Sequence, residues 1–173
     1  DSVGFAFTAA DFDVALNAAL AAEGLPPNFA HSEAQVAVAV ILPHDDYLYA
    51  GRTAVHALPY LQAPRWIVFG VCHACRRVGV RDQLLLDDDD QWQVAGTLYT
   101  VDTDLRAALQ SKLGKAAIVS AERHHAEHSI EALLPWLGAA VEKPLFVPVL
   151  VPGMEMDHLE NLAAKLAGVL ASI

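Results

Sequence analysis

Three apolar runs constrain the fold most: "QVAVAVILP" (35–43), "RWIVFGV" (65–71) and "PLFVPVLVP" (144–152). Each is of strand length, rich in valine, and continuous rather than alternating. That is the pattern of strands covered on both faces. Amphipathic segments lie between and around them. "TAADFDVALNAALAAE" (8–23) places Phe12, Leu16 and Leu20 on one stripe, with Thr8 and Asp11 as a capping box. A polar loop is predicted over 25–34, and a helix from about Gly51 to Tyr60. Strand, helix and strand at this distance form a βαβ unit, which makes the runs at 35–43 and 65–71 parallel.

Further along, 84–103 reads as a strand or edge hairpin, with the four aspartates of 87–90 as a solvated turn. The spacing predicts a helix over 103–113 capped by Thr103, a strand over 115–120, and a helix over 128–141 that Pro135 kinks. A last helix over 157–172 carries Leu159, Leu162, Leu166 and Leu170 on one side. The alternation predicts a single α/β domain spanning 1–173. Its architecture is a three-layer sandwich with a largely parallel or mixed central sheet, helices on both faces, and an apparent shortening at the C-terminus.

Composition narrows the function classes. With 173 residues, 54% of them hydrophobic, the chain can bury a sizeable core. No apolar run reaches the roughly 18 residues of a spanning helix, so no membrane role is expected. A net charge of −10 argues against nucleic acid, which needs a basic face. Arg76, Arg77 and Arg81 form the one small basic cluster, which reads first as a solvated loop and second as a seat for one anionic group. Two cysteines make no disulfide framework, and no leader is evident, so a reducing cytoplasm is the expected compartment.

Chemistry gathers at three places. His44 follows the first run and His73 the second. Parallel strands would bring both imidazoles to one sheet edge, where open α/β sheets hold ligands. Two neutral imidazoles at one point are half of a site for iron, zinc or copper. A lone histidine after a strand more often just caps a turn. The third place is "ERHHAEHSIE" (122–131). On a helix His124 and His128 share a face; alternatively Glu127 and His128 begin the helix that follows, and the dipole there favours a neutral imidazole able to act as base or ligand. The plain reading is an exposed polar loop. Cys72 and Cys75 bracket His73 as C-x-x-C. A redox pair would need a helix start after the strand, a structural zinc two more ligands, and the simplest reading of Cys72 is a small buried residue. No P-loop, dinucleotide fingerprint or nucleophile elbow is present.

The segments "ILPHDDYLYAGRTAVHAL", "IVFGVCHACRRVGV", "GTLYTVDTDL" and "HHAEHSIEALLPWL" resemble, in order and spacing, the MEMO-like family, whose bacterial members are called AmmeMemoRadiSam system protein B. The resemblance spans nearly the whole chain, and E-H-S-I-E…L-P-W-L is its most specific part. It implies a fold similar to class III extradiol dioxygenases, which hold non-haem iron with two histidines and a carboxylate. Carried over by position, it implies His44 and His73 as metal ligands and His128 as the pocket acid/base, with His124 matching a family histidine just upstream. The chain departs from the pattern where Ala-Gly becomes Asp45-Asp46 and Pro-Ser becomes Val71-Cys72, and it lacks the family's C-terminal cysteine-bearing segment. Asp45 and Asp46 are then candidates for the third ligand, and Glu127 and Cys72 for the pocket lining.

These readings lead to an uncertain enzyme: a dioxygenase-like, metal-dependent oxidoreductase, with iron first and copper or zinc as alternatives. The competing expectations are a non-catalytic protein that binds metal, a small molecule or a peptide, and a degenerate paralogue acting as a homo-oligomeric structural subunit.

Overall fold

Thr8 starts the first helix as its sequence suggests: its hydroxyl accepts from the Asp11 N–H, and the Asp11 carboxylate accepts from the Thr8 N–H at 3.0 Å. The structure is a computed structural model that describes residues 5–27, 37–75 and 79–172. Arg76, Arg77, residues 35–36 and most of the loop expected over 25–34 lie outside the described residues.

The elements are α1 (Ala9–Ala22), α2 (Tyr47–Ala54), β1 (Arg65–Val71), β2 (Leu84–Leu86), β3 (Gln91–Val94), β4 (Thr97–Val101), α3 (Thr103–Leu113), β5 (Ala117–Val119), α4 (Ala121–His125), α5 (Leu134–Ala140), β6 (Leu145–Val151) and α6 (Met156–Leu170). The strands form one open, mixed, six-stranded sheet ordered β3-β4-β6-β2-β5, with β1 also paired to β6. β2 runs parallel to β5 and antiparallel to β6. At one end of the β1/β6 pair the Leu145 N–H donates to the Pro64 carbonyl (2.9 Å). At the other the Cys72 N–H donates to that of Val151 (3.0 Å), so the two strands run the same way. β3 and β4 make an antiparallel hairpin. It turns on Ala95 and Gly96, both at positive φ (49° and 73°), the pairing a two-residue hairpin turn demands. The α/β class and the mixed sheet are as the sequence predicts.

Several boundaries differ, each for a local reason. Residues 37–43 form no strand. Val40 and Leu42 pack against a core while Ile41 between them is exposed, the alternation of an extended chain covered on one side. The expected first βαβ unit is therefore absent among the described residues. α2 begins at Tyr47 rather than near Gly51, because the Asp46 carboxylate accepts from the Leu48 N–H at 2.8 Å and caps it. α3 is capped by Asp102 rather than Thr103, through the Leu105 N–H at 3.0 Å. The helix expected over 128–141 divides into a 3-10 turn (Glu131–Leu133) and α5. Pro135 sits in the first turn of α5, where its missing N–H costs nothing, instead of kinking a longer helix. In α6 the buried residues are Leu162 and Val169, whereas Leu159 and Leu170 are exposed.

The chain divides into two compact units. The first takes Asp1–Trp66, Gln91–Thr100 and Glu131–Leu145. Its core centres on Phe12, Tyr47 and Trp136, whose rings meet edge to face with centroids 4.8–5.5 Å apart. The second takes Ile67–Asp90, Val101–Ile130 and Phe146–Ile173. There Leu84, Leu86, Leu109, Leu113, Val147 and Val149 form a core of strand and helix side chains.

Candidate metal centre

β1 ends at Val71 and the chain turns at once. The Cys72 N–H is the last to bond β6, so the next residue, His73, leaves the sheet at its edge with its backbone held. From the other direction α4 ends at His125, and residues 127–129 run as a connecting segment before the 3-10 turn. Ser129 is fully buried and its hydroxyl donates to the Val71 carbonyl at 2.9 Å, which fastens this segment to the end of β1. Gly70 permits the approach. A Cβ there would stand 2.4 Å from Ser129 Oγ and 2.5 Å from Ile130 Cγ1, closer than real Cβ contacts allow.

Glu127 organises the place. Its side chain is 4% exposed. One carboxylate oxygen accepts from the His73 N–H at 2.7 Å. The other lies 2.8 Å from His73 Nδ1 and accepts from the N–H groups of His128 (2.9 Å) and Ser129 (3.3 Å). Burial alone would push this carboxyl up. The hydrogen bonds from the His73 ring and N–H and from the His128 N–H outweigh it and hold Glu127 below the usual carboxylate range, so it is an anion. An anionic acceptor facing Nδ1 fixes the proton on that nitrogen. In a neutral ring the lone pair then sits on Nε2, one of the two nitrogens through which histidine ligates metals.

The His128 ring stacks on that of His73, 5.0 Å between centroids and 6° from parallel, with its Nδ1 at a looser 3.4 Å from Glu127. Both side chains are 48% exposed. His44, two residues ahead of the α2 cap, is half-buried. In the second unit His73 and His128 each offer a ring nitrogen, half of the donor set of a metal site. The donor set therefore fits a borderline transition metal.

The other sequence candidates are placed elsewhere. Asp45 accepts from the Asp46 N–H (2.8 Å) and Asp46 caps α2, so each gives an oxygen to its own turn. Among the described residues neither aspartate joins a group of candidate metal ligands. His124 is 2% exposed, lies on α4, and places Nε2 3.2 Å from the Leu85 carbonyl. Burial pushes its pKa down, which makes it a core histidine. The shared helical face of His124 and His128 does not form, because the helix stops between them, and His128 is not at a helix start. Cys72 is a small buried residue, as the sequence suggests, and it is bonded to Cys75 in a disulfide, so it offers no thiolate. What sequence reasoning missed is the orienting role of Glu127. The signal was an acid directly before a histidine and a serine in a segment too short to be helical.

Residues 13–172 match the family model described as "Memo-like protein". The chain belongs to the Memo-like family. Curated relatives of this Memo-like chain include a "MEMO1 family protein" of Methanosarcina mazei, 27% identical over 140 residues. That match covers 80% of this chain and 48% of the relative. Another, from Aquifex aeolicus, is 25% identical over 136 residues, covering 76% and 48%. A third, from Caldivirga maquilingensis, is 23% identical over 142 residues, covering 79% and 48%. The Memo-like chain thus spans about half the length of the curated relatives it matches. Among the described residues no helix is long and apolar enough to cross a membrane.

Proposed function

We propose that this Memo-like chain binds one transition-metal ion, iron first, through His44, His73 and His128, as the metal centre of a dioxygenase-like oxidoreductase. The observation that carries the reading is the buried Glu127 anion on His73 Nδ1, which leaves Nε2 as a lone-pair donor beside a stacked second imidazole. Orienting carboxylates of this kind stand behind metal-ligating histidines generally. A bound ion would supply Lewis-acid and redox chemistry at the site. The chain's own contribution is to hold the two imidazoles stacked and to turn His73 Nδ1 toward Glu127. The setting of this reading is the cytoplasm, its other ligand a small molecule or peptide. Copper and zinc are the alternatives to iron.

The test is metal content after anaerobic reconstitution with ferrous iron. Wild type should retain about one ion per chain, and His44→Ala and His73→Ala should lose most of it. Equal metal in all three would remove the ligand assignment. His128→Ala separates two roles: loss of metal makes it a ligand, whereas retained metal with lost oxygen consumption makes it the acid/base.

A second reading, association with another copy, is favoured by Val38 and Ile41, which are fully solvent-exposed. Light scattering at several concentrations tests it, and a monomer throughout would reject it.

A further inference from the structure

The Cys72–Cys75 disulfide closes a four-residue loop that contains His73, the residue Glu127 orients. We propose that this disulfide is a redox control on the metal centre: oxidised, it holds His73 in its ligating pose, and reduced, it releases the turn and weakens metal binding. The inference rests on the metal-centre reading above and concerns the regulation of that site.

The argument is one of constraint. His73 is held on three sides. Before it, the Cys72 N–H bonds the Val151 carbonyl of β6 at 3.0 Å. Its own N–H and ring are held by Glu127 at 2.7 and 2.8 Å. After it, the chain passes through Ala74 to Cys75, which is fully buried and whose carbonyl accepts from the Val80 N–H at 3.1 Å. The disulfide ties the first of these anchors covalently to the last. Only the torsions of residues 73 and 74 lie between, so the ring closure leaves His73 little freedom to trade its Glu127 bonds for water. Breaking it returns those torsions, and the imidazole must then be ordered again each time an ion binds. The sulfurs themselves point inward, with Cys72 7% and Cys75 0% exposed, while the His73 side chain is half-exposed. The thiols released by reduction therefore face the core rather than the imidazole flank. Where thiols are otherwise kept reduced, a disulfide is commonly a sensing one.

The step balances with a dithiol reductant. Its two thiols become a disulfide, and two electrons and two protons pass to the Cys72–Cys75 bond, which opens to two thiols.

The test measures cobalt(II) binding by equilibrium dialysis on three proteins. They are air-oxidised wild type, wild type reduced with a phosphine and desalted under nitrogen, and Cys72→Ser/Cys75→Ser. Thiol titration verifies each redox state and circular dichroism verifies folding. Oxidised wild type should bind about tenfold more tightly than either of the others, the size of effect seen when support behind a ligand is lost. Reoxidation should restore it, and the serine variant should ignore reductant. Equal affinity in both redox states overturns the proposal. So does tighter binding on reduction with a sulfur-to-cobalt charge-transfer band, which would make the thiolates ligands. If the serine variant fails to fold, reduced against reoxidised wild type still decides. Absence of cobalt binding in every form would instead sink the metal centre itself, and this control with it.

Discussion

Replacing Glu127 by glutamine tests the arrangement most directly, because its size is nearly unchanged and only its charge and one acceptor are lost. In wild type one oxygen takes the His73 N–H, and the other takes His73 Nδ1–H and the N–H groups of His128 and Ser129. A glutamine amide must turn its NH₂ toward one of these sets. The less costly choice opposes it to the single His73 N–H and leaves that donor unmatched, at about 1–3 kcal/mol. The bonds that remain lose their charge assistance, which adds roughly another 1 kcal/mol. Glu127→Gln should therefore lower unfolding stability by about 2–4 kcal/mol, read as a lower urea midpoint at unchanged slope. It should also weaken zinc binding about 10–100-fold, since the carbonyl oxygen of an amide holds Nδ1–H far less firmly than an anion. The two effects separate in the assay: dialysis is run at urea-free conditions where the variant remains folded, so lost affinity there reports orientation and not unfolding. A variant with unchanged midpoint and unchanged zinc affinity would refute the role given to Glu127, and with it the tautomer argument for His73.

Gly70→Ala pushes a methyl into Ser129 Oγ and Ile130, so it should cost about 1–3 kcal/mol and lower Tm by roughly 2–12 °C in scanning calorimetry. Asp46→Ala removes the α2 cap and should cost about 1 kcal/mol in urea unfolding, with Asp46→Ser close to wild type. His125 has its pKa raised, chiefly by its hydrogen bond to Asp89, against an opposing effect of burial and with further help from the charges of Asp89, Asp87 and Asp88. Because the folded value lies above the unfolded one, its stabilising contribution is complete below the unfolded pKa near 6.5 and is lost as pH rises through the folded value. Wild type should exceed His125→Asn in stability in mildly acidic buffer by under about 1 kcal/mol, an exposed pair's worth, and match it in alkaline buffer.

The legible parts of the chain are those where one residue pattern has one physical outcome. The run at 65–71 became β1 to the residue, because a continuous β-branched run between Pro64 and a polar turn has no helical alternative of that length. Thr8 with Asp11 could be read because a capping box needs only local atoms. Where neighbours compete, pattern is not enough. Asp102 and Thr103 are both capping residues, and the choice fell to the one whose carboxylate reaches the Leu105 N–H. Asp46 departs from the family pattern beside a candidate metal ligand, yet an aspartate ahead of "YLYAG" is equally a helix start. The run at 35–43 promises burial but does not name its neighbour, and a strand exists only as half of a pair.

The same division runs through the site. His73 was legible as the first polar group beyond a core strand, a position fixed by β1 alone. Glu127 was not, because its role depends on where Ser129 and Gly70 let two distant segments touch. The C-x-x-C spacing left open whether the sulfurs bind metal, exchange electrons or merely pack; their bond to each other removes the first while oxidised and turns the pair into a clasp around His73. A ligand histidine is specified less by its own place in the chain than by the acid that faces its other nitrogen. That makes Glu127, more than any of the three imidazoles, the residue whose replacement discriminates a metal centre from a chance gathering of histidines.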